Sequence, residues 1–431
     1  MRRSRTRAAR LAGLLAGVLV ATACGGPGVT QGLSTSAALN GQGPITFVTG
    51  ADTSGYLRPL LATWNTRHPG ERVTLVQLPA DADDQHAQMV ANLQARSGLY
   101  DVLNMDVIWT PEFASAGWIV PLNPKLFPLS QFLRPAVDTA DWDGRLWAVP
   151  YTSNAGLLYY RKDILAGAHA APPRTWAQLA SLASTLAPPH HMYGYAGQYK
   201  LYEGLTVNFA EAVQSAGGGI LSGDGKRVIL NSPQAREGLG FLVRGFSAGW
   251  IPKAALSWDE NRASAVFESG KLLFMRNWPL AYGLASRPGN TNQVAGKFSV
   301  VPLPGPHGRG SSSLGGGDLA ISAFSRHQQT ALRFIQYLTS LTSERQILVQ
   351  GSLPPVWVRL YADRALIKRF PYLPVLRQAI LSAKPRPKST DYNQLSLAIS
   401  SSVYQALRLK KAVNGTIANL SAQLNNIIRG G

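Results

Sequence analysis

The sequence predicts an α/β fold of two lobes joined by more than one chain crossing. Three observations carry that expectation. Strand and helix patterns alternate without interruption across residues 45–108. The alternation breaks near residue 150 and then resumes. A further break falls at Gly308–Gly317, the longest low-complexity stretch, rich in Gly and Ser.

The chain opens on Arg2, Arg3, Arg5, Arg7 and Arg10, followed by an apolar run from Leu11 to Ala23. That is the pattern of a secretory signal with a small-residue cleavage site. The run is shorter than the roughly 20 residues a spanning helix needs, and no later stretch comes close to it. Cys24, the only cysteine, follows Ala21-Thr22-Ala23 directly. This placement resembles a bacterial lipobox, in which the thiol takes a diacylglycerol; Ala21 stands where leucine is usual. Residues 24–43 hold almost nothing to pack and read as a lipidated, flexible tether. Without residues 1–23 and their five arginines, 408 residues with a formal charge of +14 are left of 431 residues at +19. That length suits two or three domain-sized units.

Ile45-Thr46-Phe47-Val48-Thr49 reads as a strand. Leu57, Leu60, Leu61 and Trp64 then mark one face of a helix, which His68-Pro69-Gly70 stops. Val73–Val76 is a second strand. A helix over Gln85–Arg96 turns Met89, Val90 and Leu93 inward. Asp101–Ile108 is a nearly continuous apolar strand. This order predicts a parallel sheet covered on both faces. Further on, Thr175-Trp176-Ala177-Gln178 is a capping box and Ser232-Pro233 an N-cap followed by proline. Ser325–Gln328 reads as a second capping box, ahead of Ala331, Phe334, Ile335 and Leu338.

Composition narrows the function. With 45% hydrophobic and 15% charged residues, large cores can form. A single cysteine excludes disulfides, Cys-based zinc sites and a thiol nucleophile in the body. No His-x-x-x-His, His-Glu-x-x-His or Gly-x-Ser-x-Gly spacing occurs, and neither Gly217-Gly218-Gly219 nor Gly315-Gly316-Gly317 matches a phosphate loop. No metal, cofactor or catalytic set is expected. The acids Asp81, Asp83, Asp84 and Asp259, Glu260 are explained as helix starts. The basic residues are dispersed apart from Lys384-Pro385-Arg386-Pro387-Lys388, so nucleic acid is not an expected partner.

In open α/β sheets, ligands bind beyond the carboxyl ends of the strands. Asp52, after the first strand, and Asp106, near the end of the third, reach the same edge. Asp52 could equally cap a helix. Asp106 in an apolar strand needs a partner. The chain also carries 10 Trp and 15 Tyr. Their flat faces with one polar atom suit the C–H face and hydroxyl rim of a sugar. Trp64 belongs to the core stripe, whereas Trp278, before Pro279 and outside any periodicity, is a candidate platform.

Five stretches together resemble the extracellular sugar-binding proteins of ABC importers: Asp106–Ala114 with Ala116-Gly117-Trp118 and Pro121-Leu122; Gly144–Tyr151 running on to Leu157–Asp163; Tyr202–Phe209; Phe274–Pro279; and Pro385-Arg386-Pro387 before Tyr392. They cover nearly the whole mature chain in the family's order. The likeness is greatest to the trehalose- and maltose-type subgroup and, with the lipobox, to trehalose-recycling lipoproteins of actinobacterial importers.

The resemblance implies a two-lobed periplasmic-binding-protein-like fold with a hinged cleft. The first lobe would be 44–151 plus 316–360 and the second 152–315 plus 361–431, with crossings near 150–153, 312–316 and 358–362. It implies sugar contacts from Asp52, Asp106, Asn154, Glu260, Trp278, Gly317, Asp318 and Arg386, while Glu203 is read as structural. Relatives often carry Gly-Gly-Trp where this chain has Gly315-Gly316-Gly317-Asp318, so Asp318 would offer a carboxylate in place of a ring. The implied function is capture of a disaccharide such as trehalose and its delivery to a membrane permease, with no chemical conversion. The protein would be a monomer held by its lipid on the outer face of the cytoplasmic membrane. Binding of another solute (a glycerophosphodiester or an oligosaccharide) and a secreted glycosidase are the alternatives.

Overall fold

The computed structural model describes residues 39–430; the signal at 1–23, Cys24 and most of the tether lie outside the described residues. The strands are β1 (Ile45–Gly50), β2 (Val73–Leu78), β3 (Val102–Asp106), β4 (Asp141–Trp142), β5 (Arg145–Leu146), β6 (Val149–Ala155), β7 (Leu157–Arg161), β8 (Tyr193–Ala196), β9 (Leu272–Asn277), β10 (Phe298–Pro302) and β11 (Leu314–Ile321). They build a five-stranded sheet in the order β2-β1-β3-β11-β6, a four-stranded sheet β10-β7-β9-β8 and the small β4-β5 hairpin. Helices flank both main sheets, and the fold is two-lobed α/β. The chain passes from the larger sheet to the smaller at Gly156 and returns between β10 and β11.

The opening pattern is as the periodicity predicts. β1 pairs in parallel with β2 and with β3. Leu57, Leu60, Leu61 and Trp64 are buried on the helix Leu57–Arg67, and Met89 and Leu93 on the helix Ala82–Gln94. Thr175 and Gln178 form their reciprocal capping box, and Ser232 caps the helix beginning at Pro233.

Three expectations are corrected. The larger sheet is mixed, because β11 runs antiparallel to both β3 and β6. Its residues Leu314 to Gly317 come from the stretch expected to be a break. Glycines give no hydropathy signal, yet only they fit here: a Cβ on Gly315 would press on Asn154 and the Trp278 ring, and one on Gly317 would press on Asn104. Secondly, Ser325 does not cap the following helix, which starts at Gln328. Its hydroxyl instead donates to Asp101 Oδ1 at 2.5 Å and accepts from the His327 amide. Thirdly, order begins before Ile45. Gly43 N donates to Thr330 Oγ1 at 3.2 Å, and Gln329 Nε2 donates to the Leu39 carbonyl at 3.1 Å, which seats residues 39–44 against the start of that helix.

Candidate functional site

The strand ends supply the site. On β3, Asn104 and Asp106 are two residues apart, so both face the same way, and both are only part-buried while Leu103 and Met105 are enclosed. Asp106 stands opposite Gly317 of β11, and Asn154 of β6 stands opposite Gly315. A Cβ on Gly315 would lie 2.9 Å from a Trp278 ring carbon. The two glycines, about 7 Å apart along the strand, therefore make a bare floor between Asp106 and Asn104 at one end and Asn154 and Trp278 at the other.

Trp278 follows β9, the strand Leu272–Asn277. Its backbone is fixed at both polar atoms: its amide donates to Asn277 Oδ1 and its carbonyl accepts from Tyr159 OH, each at 2.8 Å. Arg276 stacks under the indole, its guanidinium carbon 4.0 Å from the ring centroid. The Arg276 charge is held by Glu211 through two bonds of 2.7 and 2.6 Å, and by Gln198 at 2.9 Å. One face of the indole is thus covered by protein. Glu260, the first residue of the helix Glu260–Glu268, accepts from Tyr202 OH at 2.5 Å and from Trp278 Nε1 at 3.4 Å. Burial raises its carboxyl above the ordinary range, against the pull of the Tyr202 bond. Trp278, Glu260 and Asn154 all keep part of their surface in solvent.

Arg386 lies after the helix Leu373–Ser382 and reaches across to the larger sheet. Its Nη2 donates to Asp106 Oδ1 and its Nη1 to Glu203 Oε1, both at 2.6 Å. Glu203 also accepts from Tyr392 OH at 2.7 Å and from Ser396 Oγ. The exposures differ: 2% for the Arg386 side chain and 6% for Glu203, against 22% for Asp106. Burial pushes the Glu203 carboxyl up, opposed by Arg386. A second ion pair links the two halves, Lys200 Nζ to Asp81 Oδ2 at 2.7 Å.

The remaining expected site residues stand elsewhere. Asp52 is bound up in its own loop, accepting from Ser54 N, Ser54 Oγ, Gly55 N and Leu57 N at 2.8–3.1 Å. It holds the first amide of the Leu57 helix from within the preceding loop, although the N-cap position itself is Tyr56. Asp318 does not present a carboxylate in place of a ring. A bulge between Gly317 and Asp318 re-aims the side chain, which is wholly enclosed and accepts from Thr139 Oγ1 at 2.9 Å. Burial raises its pKa to about 7. Gly317 contributes backbone only. Sequence reasoning did not single out Asn104, Tyr202 or Arg276. Asn104 Oδ1 is buried without a hydrogen-bond partner, as is Asn154 Oδ1. The alternation of β3 that exposed Asp106 could have flagged Asn104; nothing local marks the other two.

Beside Arg386 opens a cavity of about 750 Å³ bounded by Ile108, Pro111, Thr139, Gln214, Leu221 and Leu314. No aromatic ring lines it.

Two lobes with polar and aromatic side chains converging at the strand ends define a solute-binding protein. Residues 50–342 match the bacterial extracellular solute-binding protein family. A probable ABC transporter-binding protein of Deinococcus radiodurans is 32% identical over 368 residues, 83% of this chain and 87% of that one. The maltose-bound MalE3 of T. maritima superimposes with a TM-score of 0.84 at 31% identity, over 88% of this chain and 98% of its own. The mannitol-binding protein of Pseudomonas aeruginosa is 25% identical over 59% of each chain. This chain belongs to the bacterial extracellular solute-binding protein family, whose members serve ABC transporters by binding solutes.

Proposed function

We propose that this protein captures a neutral disaccharide of the trehalose or maltose type between its lobes and delivers it to the permease of an ABC importer. The observation that carries this reading is the Trp278 indole, backed on one face by Arg276 and edged by Glu260 and Asn154. A pyranose laid on the free face would meet a flat apolar ring, with a carboxylate and an amide beside it for its hydroxyls. Asp106, part-exposed beside Arg386, would take hydroxyls at the far end of the glycine floor. MalE3, with maltose bound, and a relative described as an arabinooligosaccharide-binding protein support a sugar over other solutes.

Binding without conversion fits this set: Arg386 neutralises Asp106, and Glu260 is held by two neutral donors, Tyr202 OH and Trp278 Nε1. A phosphodiester would need a spare cation, and both guanidiniums at the site are bonded to protein carboxylates. The five-stranded sheet forms the core of the first lobe and the four-stranded sheet that of the second. Their closure over the ligand is the transport-competent change. Cys24 would carry the lipid that keeps the monomer on the outer face of the membrane, beside its permease. The test is calorimetric titration with trehalose, maltose, sucrose and glycerophosphocholine. Saturable heat with a disaccharide is expected; silence with all four removes the reading.

A further inference from the structure

The site's charges are unequal. Asp106, Glu203, Glu211 and Glu260 face only two guanidiniums, Arg276 and Arg386. Arg276 is spent on Glu211, and Arg386 is shared by Asp106 and Glu203. Lys200, the cation linking the halves nearby, is held by Asp81. Glu260 makes no ion pair among the described residues. Its partners are the neutral donors Tyr202 OH and Trp278 Nε1, and the longer of these bonds, 3.4 Å, leaves Oε1 weakly satisfied. It is part-exposed, at the edge of the ring on which the ligand is read to lie.

We infer that the cleft selects its sugar by charge: an amine-bearing disaccharide, its ammonium on Glu260, binds more tightly than the neutral parent, and a phosphorylated or carboxylated one is rejected. The inference rests on the disaccharide reading above and narrows its ligand class. A carboxylate bonds an ammonium more strongly than a hydroxyl, the more so when part-buried. An anion, by contrast, would meet more carboxylates than guanidiniums around Trp278, and the ammonium of Lys388, beyond Arg386, is engaged by the Asp138 and Asp141 carbonyls, a device of exclusion as much as of attraction.

The experiment keeps the scaffold fixed and varies only charge. The unmodified chain is titrated with trehalose, with its monoamino-monodeoxy derivatives and with trehalose phosphate. At least one amine should bind about tenfold or more tighter than trehalose, and the phosphate about tenfold or more weaker. In Glu260→Gln, the best amine should fall to parity with trehalose. If trehalose binds but no amine exceeds it, or if the phosphate binds equally well, the charge rule is wrong and the disaccharide reading stands. A preference that survives Glu260→Gln overturns the assignment to that residue. If nothing in the series binds and the maltose counterparts fail too, both proposals fall together. The comparison of the three charge states needs no variant, so it stands even should Glu260→Gln fold poorly.

Discussion

Two groups of polar side chains lie at the strand ends, and they are built differently. Around Arg386 the charges are answered: one buried cation on two carboxylates, with a tyrosine and a serine completing Glu203, although Arg386 Nε is buried without a partner. Around Trp278 the support is equally firm underneath, in Arg276 and Glu211, but the upper groups are left with capacity. Glu260 has only neutral donors, Asn154 Oδ1 has none, and the indole keeps part of its surface in solvent. The first group links one half of the molecule to the other; the second is the one proposed above to receive the ligand. Buried charges hold position only when saturated, whereas a recognition surface must keep hydrogen bonds unmade until the ligand arrives.

The contrast can be broken most forcefully at Arg386. Arg386→Met leaves Asp106 and Glu203 facing each other without their cation and should cost about 3–5 kcal/mol of stability, measured by denaturant unfolding. A loss under 1 kcal/mol would mean that the fastening role is misread. Next comes the glycine floor. In Gly315→Val the new side chain meets Asn154 and the Trp278 ring, and displacing them should cost about 1–3 kcal/mol, with sugar affinity falling alongside, read by melting and titration together. Trp278→Ala should separate the groups: affinity for the best disaccharide falls by at least about tenfold, roughly 1.4 kcal/mol, while the Arg386 network persists. Unchanged affinity would move the site elsewhere, with the 750 Å³ cavity the first place to look.

The smallest effect concerns Asp318. Its folded pKa, raised by burial to about 7, lies above the ordinary carboxyl value, so the folded protein holds this proton more tightly than the unfolded chain. Its contribution is fully present below the ordinary value and is lost as pH rises through about 7. In Asp318→Asn, stability should fall less between weakly acidic and neutral pH than in the parent; parallel melting curves against pH would refute this.

Much of the fold was legible because it is local. The spacing of Leu57, Leu60, Leu61 and Trp64 and the Thr175–Gln178 pair lie within a few turns of chain, and those elements formed as read. That Asp106 ends a strand and Trp278 stands outside any helical stripe was also legible; their contact with a sugar is the proposal made above. Asp318 and Ser325 misled for the same reason in reverse: each looked available in sequence and is engaged by a distant partner, Thr139 and Asp101.

By itself, then, the sequence determined the alternation of strand and helix and the residue types that suit a sugar, which follow from periodicity and side-chain chemistry, and, through the family resemblance, the two-lobe plan. The tertiary structure alone decided that a run of glycines becomes a central strand, that Arg276 lies under Trp278, and that Arg386 is spent on Glu203 and Asp106. Arg276 is held by Glu211, 65 positions away, and Arg386 meets Glu203 and Asp106 183 and 280 positions away; the pairing of such groups is fixed only when the chain closes on itself.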